Sequence, residues 1–170
     1  RYWIPAAKSE EIAEPGGAPV RVGLLGEKLV AFRDPTGKPG LINEFCPHRR
    51  ASLVYGRNEE GGLRCLYHGW KFDVTGKCVS TMAENPRFCA TVSLTKFQTK
   101  EAGGICWVYL GPGDPPAFPD WEFCSVPAEY RRARVGYTDS NWTQNLETLL
   151  DSAHIGILHS EPVNQGVNKS

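Results

Sequence analysis

The chain of 170 residues lacks any apolar run near the roughly 20 residues needed to span a bilayer, and no signal peptide opens it. It also lacks a charge excess: nineteen Lys and Arg stand against nineteen Asp and Glu. A balanced chain has no bulk field to attract nucleic acid or an anionic membrane, so neither is expected as a partner. The expected location is the cytoplasm. Internal repeats and low-complexity tracts are missing as well. Histidine is scarce, four in all, so the position of each one carries weight.

What is present suits a folded domain. A composition 41% hydrophobic buries the core of one domain, or of one domain and part of another. Gly 18 and Pro 13 exceed average usage and favour many turns and short strands over long helices. Of the six cysteines, Cys78, Cys89, Cys106 and Cys124 lie in unpatterned contexts, where burial as small apolar residues is expected. The chain begins at Arg1 and stops in polar sequence at Asn168, Lys169 and Ser170, which reads as a fragment.

The other two cysteines arrive with two of the histidines. Cys46-Pro47-His48 and Cys65-Leu66-Tyr67-His68 each offer one thiolate and one imidazole from a tight loop, with Pro47 and Gly69 suited to sharp turns. Three occupants come into question: a [2Fe-2S] cluster with mixed ligation, a structural zinc, or no metal. Zinc fingers usually pair Cys with Cys and His with His. A mixed pair on each loop is the pattern of a Rieske centre, in which two thiolates hold one iron and two imidazoles the other. Its lower negative charge eases reduction, at about −150 to +300 mV against roughly −400 mV for plant-type ferredoxins. An iron–sulfur cluster also suits a reducing compartment, where disulfides are uncommon.

Around this stretch the sequence predicts short antiparallel strands over residues 20–25, 28–33 and 40–43, separated by Gly26-Glu27 and by Asp34-Pro35-Thr36-Gly37. Residues 9–11 suggest a short helical turn or a loop. A strand over 63–65 enters the second loop, so both ligand loops are expected as hairpin tips. Residues 91–100 and 104–110 predict a further hairpin. Gly111-Pro112-Gly113-Asp114-Pro115-Pro116, with Pro119, cannot continue a strand or helix and marks a boundary. The expected fold class is mainly β: small antiparallel sheets over residues 1–110, a linker over 111–125, and the start of a second domain over 126–170.

In that second part, residues 130–137 suggest a strand and residues 141–155 a single helix capped by Ser140 or Asn141, with Trp142, Leu146, Leu149 or Leu150, and Ala153 at helical spacing. On a continuous helix Asp151 lies about 40° from Glu147 and about 60° from His154, so all three share a face. His159 would point roughly 140° away from His154 unless the helix ends or widens, and Gly156 permits that. Two histidines on a helix are by themselves most often surface or packing residues. Here they are half of the chain's histidines. Two His and a carboxylate around open positions form the non-haem Fe(II) triad; Asp151 is a candidate for the carboxylate, or for orienting the His154 ring from behind.

Cys46-Pro47-His48-Arg49 with Cys65-Leu66-Tyr67-His68-Gly69-Trp70, followed by Glu147, Asp151, His154 and His159, resembles the oxygenase component of Rieske non-haem iron ring-hydroxylating oxygenases. Arg50-Ala51-Ser52-Leu53 and Gly56-Arg57-Asn58-Glu59-Glu60 narrow the resemblance to the phthalate dioxygenase-like branch, which includes O-demethylating and aryl-ether-cleaving members. The resemblance implies a Rieske domain followed by the beginning of an α+β helix-grip catalytic domain. It implies Cys46, His48, Cys65 and His68 as cluster ligands, His154 and His159 as ligands of a mononuclear Fe(II), and Asp151 as a bridge between sites. The family's third ligand, an aspartate far downstream, has no counterpart before Ser170. A reductase or ferredoxin as electron donor, O2, an aromatic substrate and a head-to-tail trimer are implied in the same way. The rivals are a stand-alone Rieske electron carrier and a zinc-stabilised binding module.

Overall fold

The computed structural model describes residues 2–82 and 84–158. It divides into two units, between Arg134 and Val135. The first unit is built from ten short strands: β1 (Trp3–Lys8), β2 (Val20–Leu24), β3 (Glu27–Arg33), β4 (Pro39–Asn43), β5 (Arg57–Glu59), β6 (Gly62–Arg64), β7 (Lys71–Phe72), β8 (Cys78–Ser80), β9 (Gln98–Ala102) and β10 (Ile105–Tyr109). They form three antiparallel sheets, ordered β1-β10-β9, β2-β3-β4 and β5-β6-β7-β8. The mainly β expectation and the three strands predicted before the first loop hold to within a residue or so at their ends.

β3 explains how the sheets are packed together. Strand side chains alternate between faces, and Leu29, Val30, Ala31 and Phe32 are all fully buried. Leu29 and Ala31 face a core completed by Ile12, Leu41, Cys106 and Val108. Val30 and Phe32 face the other way, into a core with Ile42, Leu53, Leu63, Trp70 and Phe72 that also contains Cys46 and Cys65. The central sheet is therefore a wall with a core on each side, and the metal-type cysteines belong to only one of them. Arg33 at the end of β3 ties the sheets together by donating to Ile12 O, Gly37 O and Glu101.

Three local expectations change. Residues 91–97 contribute single bridges from Ser93 and Lys96, and the β9–β10 hairpin turns on Gly103-Gly104 alone. The expected strand over 130–137 is absent: a 3-10 turn at Ala128–Tyr130 is followed by chain without a ladder partner. The proline-rich stretch lies against the first sheet, because Trp3 Nε1 donates to Pro116 O at 3.0 Å and the Phe118 ring packs edge-on to Trp3 and Trp107.

The second unit contains α-helices at Trp142–Leu150 and Ser152–Leu158; with the short helices α1 (Pro86–Cys89) and α2 (Glu122–Ser125) of the first unit, these are α3 and α4. Asn141 caps α3 as expected, its side chain accepting from Thr143 N. The single helix predicted over 141–155 is broken at Asp151, whose backbone is extended (φ −76°, ψ 95°). Asp151 caps the second helix instead, its Oδ1 accepting from Ala153 N at 3.0 Å. No helix among the described residues is long and apolar enough to cross a membrane.

Candidate metal centre

The two Cys-His loops have the same backbone frame. In the first, Cys46 N–H donates to Ala51 O and Arg50 N–H donates to Cys46 O, both at 2.9 Å. In the second, Cys65 N–H donates to Trp70 O at 2.8 Å and Gly69 N–H to Cys65 O at 3.0 Å. The fifth residue of each loop is left-handed, Arg50 at φ 59° and Gly69 at φ 73°. Each turn thus folds its chain back over the cysteine and satisfies both polar groups of that residue, as buried backbone requires.

Each loop is also clasped at its base. The second is a hairpin tip between β6 and β7. Arg64 of β6 donates to Glu59 at 2.7 Å and, through Nη1, to Gly69 O at 2.6 Å. The first loop is closed by one bridge, Phe45 with Ser52, rather than by two strands. Glu44 reinforces it: the carboxylate is almost wholly buried and accepts from Ser52 Oγ at 2.6 Å and from Arg21 Nε at 3.1 Å. Burial works to raise the Glu44 carboxyl, but the bonds from Ser52 and Arg21 and the Arg21 charge outweigh it and hold the group below the usual carboxylate range.

The loops bring like donors together. The Cys46 and Cys65 thiols lie near enough to influence each other's charge, and both cysteines are buried. Burial pushes the Cys46 thiol up to about 11, and the neighbouring Cys65 adds to this, while the backbone N–H groups of His48 and Arg49 act against it by favouring the thiolate. The imidazoles meet edge to face, with ring centroids 4.5 Å apart. His48 is held from behind by Trp70, whose ring stacks on it at 4.7 Å and 6°. His48 Nδ1 is buried and has no hydrogen-bond partner. His68 is exposed, against the Tyr67 ring.

This arrangement discriminates among occupants. Among the described residues, no group of three or more His, Cys, Asp and Glu side chains gathers around a point where one ion would sit. Structural zinc takes four converging donors. A binuclear cluster takes two donors at each end, which suits sulfur beside sulfur and imidazole beside imidazole. An empty site would leave an orphaned buried imidazole nitrogen, at a cost of about 1–3 kcal/mol. The donors fit a [2Fe-2S] cluster.

Of the second set, Asp151 lies at the break between α3 and α4 and His154 in the first turns of α4, where His154 N–H donates to Asp151 O at 3.2 Å. Glu147, on α3, is separated from them by the break, so the shared helical face expected for all three does not form. His159 lies outside the described residues. Sequence reasoning missed the Glu44 clasp, although a Glu, an Arg and a Ser bracketing a loop are a weak signal at best. It also missed a second thiol contact: Cys78 and Cys89, both buried, have sulfurs 3.3 Å apart in the same core as Cys46. Burial first, and then the Cys89 thiol beside it, pushes the Cys78 thiol up to about 12.

Comparison with known proteins gives this geometry a context. Residues 2–98 match the Rieske [2Fe-2S] domain. The oxygenase subunit of phthalate 4,5-dioxygenase from Pseudomonas putida is 48% identical over 167 residues, covering 94% of this chain and 37% of the relative. The crystal structure of dicamba monooxygenase bound to dicamba superposes with a TM-score of 0.77 at 32% identity, over 92% of this chain and 47% of that one. The reduced complex between oxygenase and ferredoxin in carbazole 1,9a-dioxygenase matches with a TM-score of 0.56 at 29% identity, over 68% and 30%. The chain spans little more than a third of the length of the curated relatives it matches. It belongs to the Rieske [2Fe-2S] domain family, and the relatives it resembles over most of its length are oxygenase subunits.

Proposed function

We propose that this chain is the electron-receiving part of an oxygenase component acting on an aromatic carboxylate or aryl ether. Cys46 and Cys65 would hold one iron of a [2Fe-2S] cluster, and His48 and His68 would hold the other. The observation that carries this is the pairing of thiol with thiol and imidazole with imidazole in two loops of one backbone frame. When bound, the cluster stores one electron at a time and a mononuclear Fe(II) activates O2 beside the substrate. The protein's own work is positional. The amides of His48 and Arg49 favour the Cys46 thiolate, Trp70 fixes the His48 ring, and exposed His68 is open to a second centre.

The alignment with oxygenase subunits runs beyond the Rieske segment to 94% of the chain, which supports assigning residues 1–110 to the cluster domain, 111–125 to a connecting segment and 126–170 to the start of a helix-grip catalytic domain. In that part, His154 and His159 are the proposed iron ligands and Asp151 the residue that positions His154. Capping α4 holds the Asp151 carboxylate at a fixed place, from which it can accept from an imidazole N–H on either side. In a head-to-tail trimer those donors are His154 of the same subunit and the cluster-bound His68 of its neighbour. Arg49 and Arg50, both exposed beside the first loop, suit docking of an acidic reductase or ferredoxin.

Two measurements on the full-length protein test this. Anaerobic reduction should give the EPR signal of a Rieske centre, with three irons for every two sulfides; two irons for two sulfides would instead indicate a stand-alone electron carrier. Asp151→Ala should slow single-turnover electron transfer with both metals retained, and an unchanged rate refutes the bridging role.

A further inference from the structure

Cys78 and Cys89 take no part in the proposed cluster site, yet the fold sets them against each other. Cys78 opens β8 and Cys89 ends α1, and the Cys89 thiol donates to Cys78 Sγ at 3.3 Å. Both lie in the core that contains Cys46 and Cys65. The pair also borders a cleft of about 650 Å³ whose rim includes Thr81, Met82 and Pro86. Cys89 is the more accessible of the two, at 8% against 2% for Cys78. The neighbouring residue, Phe88, packs edge-on against Trp70 at 5.7 Å, and Trp70 is the ring stacked on His48. A covalent tie at Cys89 would therefore fasten the support of the His48 ring to the sheet.

We propose that Cys78 and Cys89 are a dithiol that hydrogen peroxide oxidises to an intramolecular disulfide joining α1 to β8. Peroxide is the fitting oxidant because it is small enough to reach a nearly buried sulfur through the cleft, where a bulky disulfide reagent is not. The Cys89 sulfur attacks a peroxide oxygen; the O–O bond breaks, water leaves, and Cys89 becomes a sulfenic acid. Cys78 Sγ then attacks that sulfur, the S–S bond forms, the S–O bond breaks and a second water leaves. The two thiols lose two electrons and two protons, and one peroxide becomes two waters. The paired geometry makes the second step faster than further oxidation of Cys89, since the resolving sulfur is already in contact.

The test is thiol mapping of the full chain with its cluster loaded. The protein is treated anaerobically with equimolar hydrogen peroxide, quenched in acid, alkylated under denaturing conditions and digested with trypsin. Cleavage after Lys77, Arg87 and Lys96 puts Cys78 and Cys89 in separate peptides. The expected result is a linked pair of these peptides, two hydrogens lighter than their sum, with Cys106 and Cys124 still alkylated. Recovery of alkylated Cys78 and Cys89 while Cys124 is oxidised, or of Cys89 as a sulfinic acid without the link, overturns the proposal. Cys78→Ala and Cys89→Ala should each abolish the link. The Rieske EPR signal reports whether each variant has folded, and the mapping on the unsubstituted chain decides the matter by itself.

Discussion

Glu44→Ala tests the clasp beneath the first cluster loop. The carboxylate is buried, receives a hydrogen bond from Ser52 Oγ at 2.6 Å and is bonded by Arg21, whose side chain is half exposed. A hydrogen bond to a charged group contributes about 1.5–3 kcal/mol net. The exposed arginine contributes roughly 0–1 kcal/mol, and the relief of desolvating a buried charge works the other way. The expected loss is about 2 kcal/mol, which for a urea m-value of about 2 kcal/mol/M lowers the unfolding midpoint by about 1 M. Glu44→Gln keeps the volume and an acceptor for Ser52 and should lose about half as much. The pH dependence has a fixed sign. The folded Glu44 carboxyl titrates below its unfolded value. Its stabilisation is therefore full above the unfolded pKa of about 4.3 and is lost as pH falls through the lower folded value. The gap between parent and Glu44→Ala should be constant from pH 6 to 8 and close in acid. Because Ser52, at the closing end of the first loop, fastens to the Glu44 carboxylate, the variant should also release its cluster to a chelator faster. A midpoint unchanged at neutral pH, or a gap that does not narrow as the pH falls below about 4.3, refutes the reasoning.

Other outcomes follow from the same contacts. Gly62 sits at φ 136°, and a Cβ there would overlap the Phe72 carbonyl oxygen; Gly62→Ala should cost about 3 kcal/mol or more, read by thermal unfolding. Trp70→Ala removes a buried ring from behind His48 and from against Phe88. Its expected cost is about 3–5 kcal/mol, and any folded fraction should show altered Rieske g-values, where unchanged g-values would deny the ring a role at the imidazole. Arg50→Gly relieves a left-handed side-chain residue at φ 59°, so stability should hold or rise by up to about 1 kcal/mol while reduction by the donor slows, as stopped-flow reduction would report.

How far the sequence reveals this molecule depends on how local the cause is. The strands of the central sheet were legible because Val20 and Val22 alternate with polar or small residues and Leu29 to Phe32 and Leu41-Ile42 are short apolar runs, all between turn residues such as Asp34, whose Oδ1 accepts from Thr36 N and Lys38 N. The ligand pairs were legible because each is complete within four residues. β1 was obscured by Pro5, which is tolerated because β1 is an edge strand with a bulge between Pro5 and Ala7. The break at Asp151 was hidden by the helix-compatible residues on both sides, although Asp before Ser152 and Ala153 is a capping signal. The contact of Cys78 with Cys89, and the clasp of Glu44 by Arg21, were not legible: each joins separate elements, and only the packed sheets bring them together.

The equivalence of the two loops turns one residue choice into an argument about function. Both frames require a left-handed residue at the fifth position, a conformation that costs an ordinary side chain about 1–2 kcal/mol. The second loop uses glycine there, and a Cβ on Gly69 would meet the Met82 side chain at 2.6 Å, so packing as well as backbone calls for glycine. The first loop accepts the strain and carries Arg50, whose guanidinium lies 4.9 Å from the centre of the Phe45 ring while its chain stays exposed. A cation–π contact at an exposed site returns only about 0.5–1 kcal/mol, which does not exceed the strain. Stability alone would have placed glycine in both loops. The charge at the mouth of the first loop fits the proposed docking of an electron donor, for which the strain at Arg50 offers a reason that stability does not.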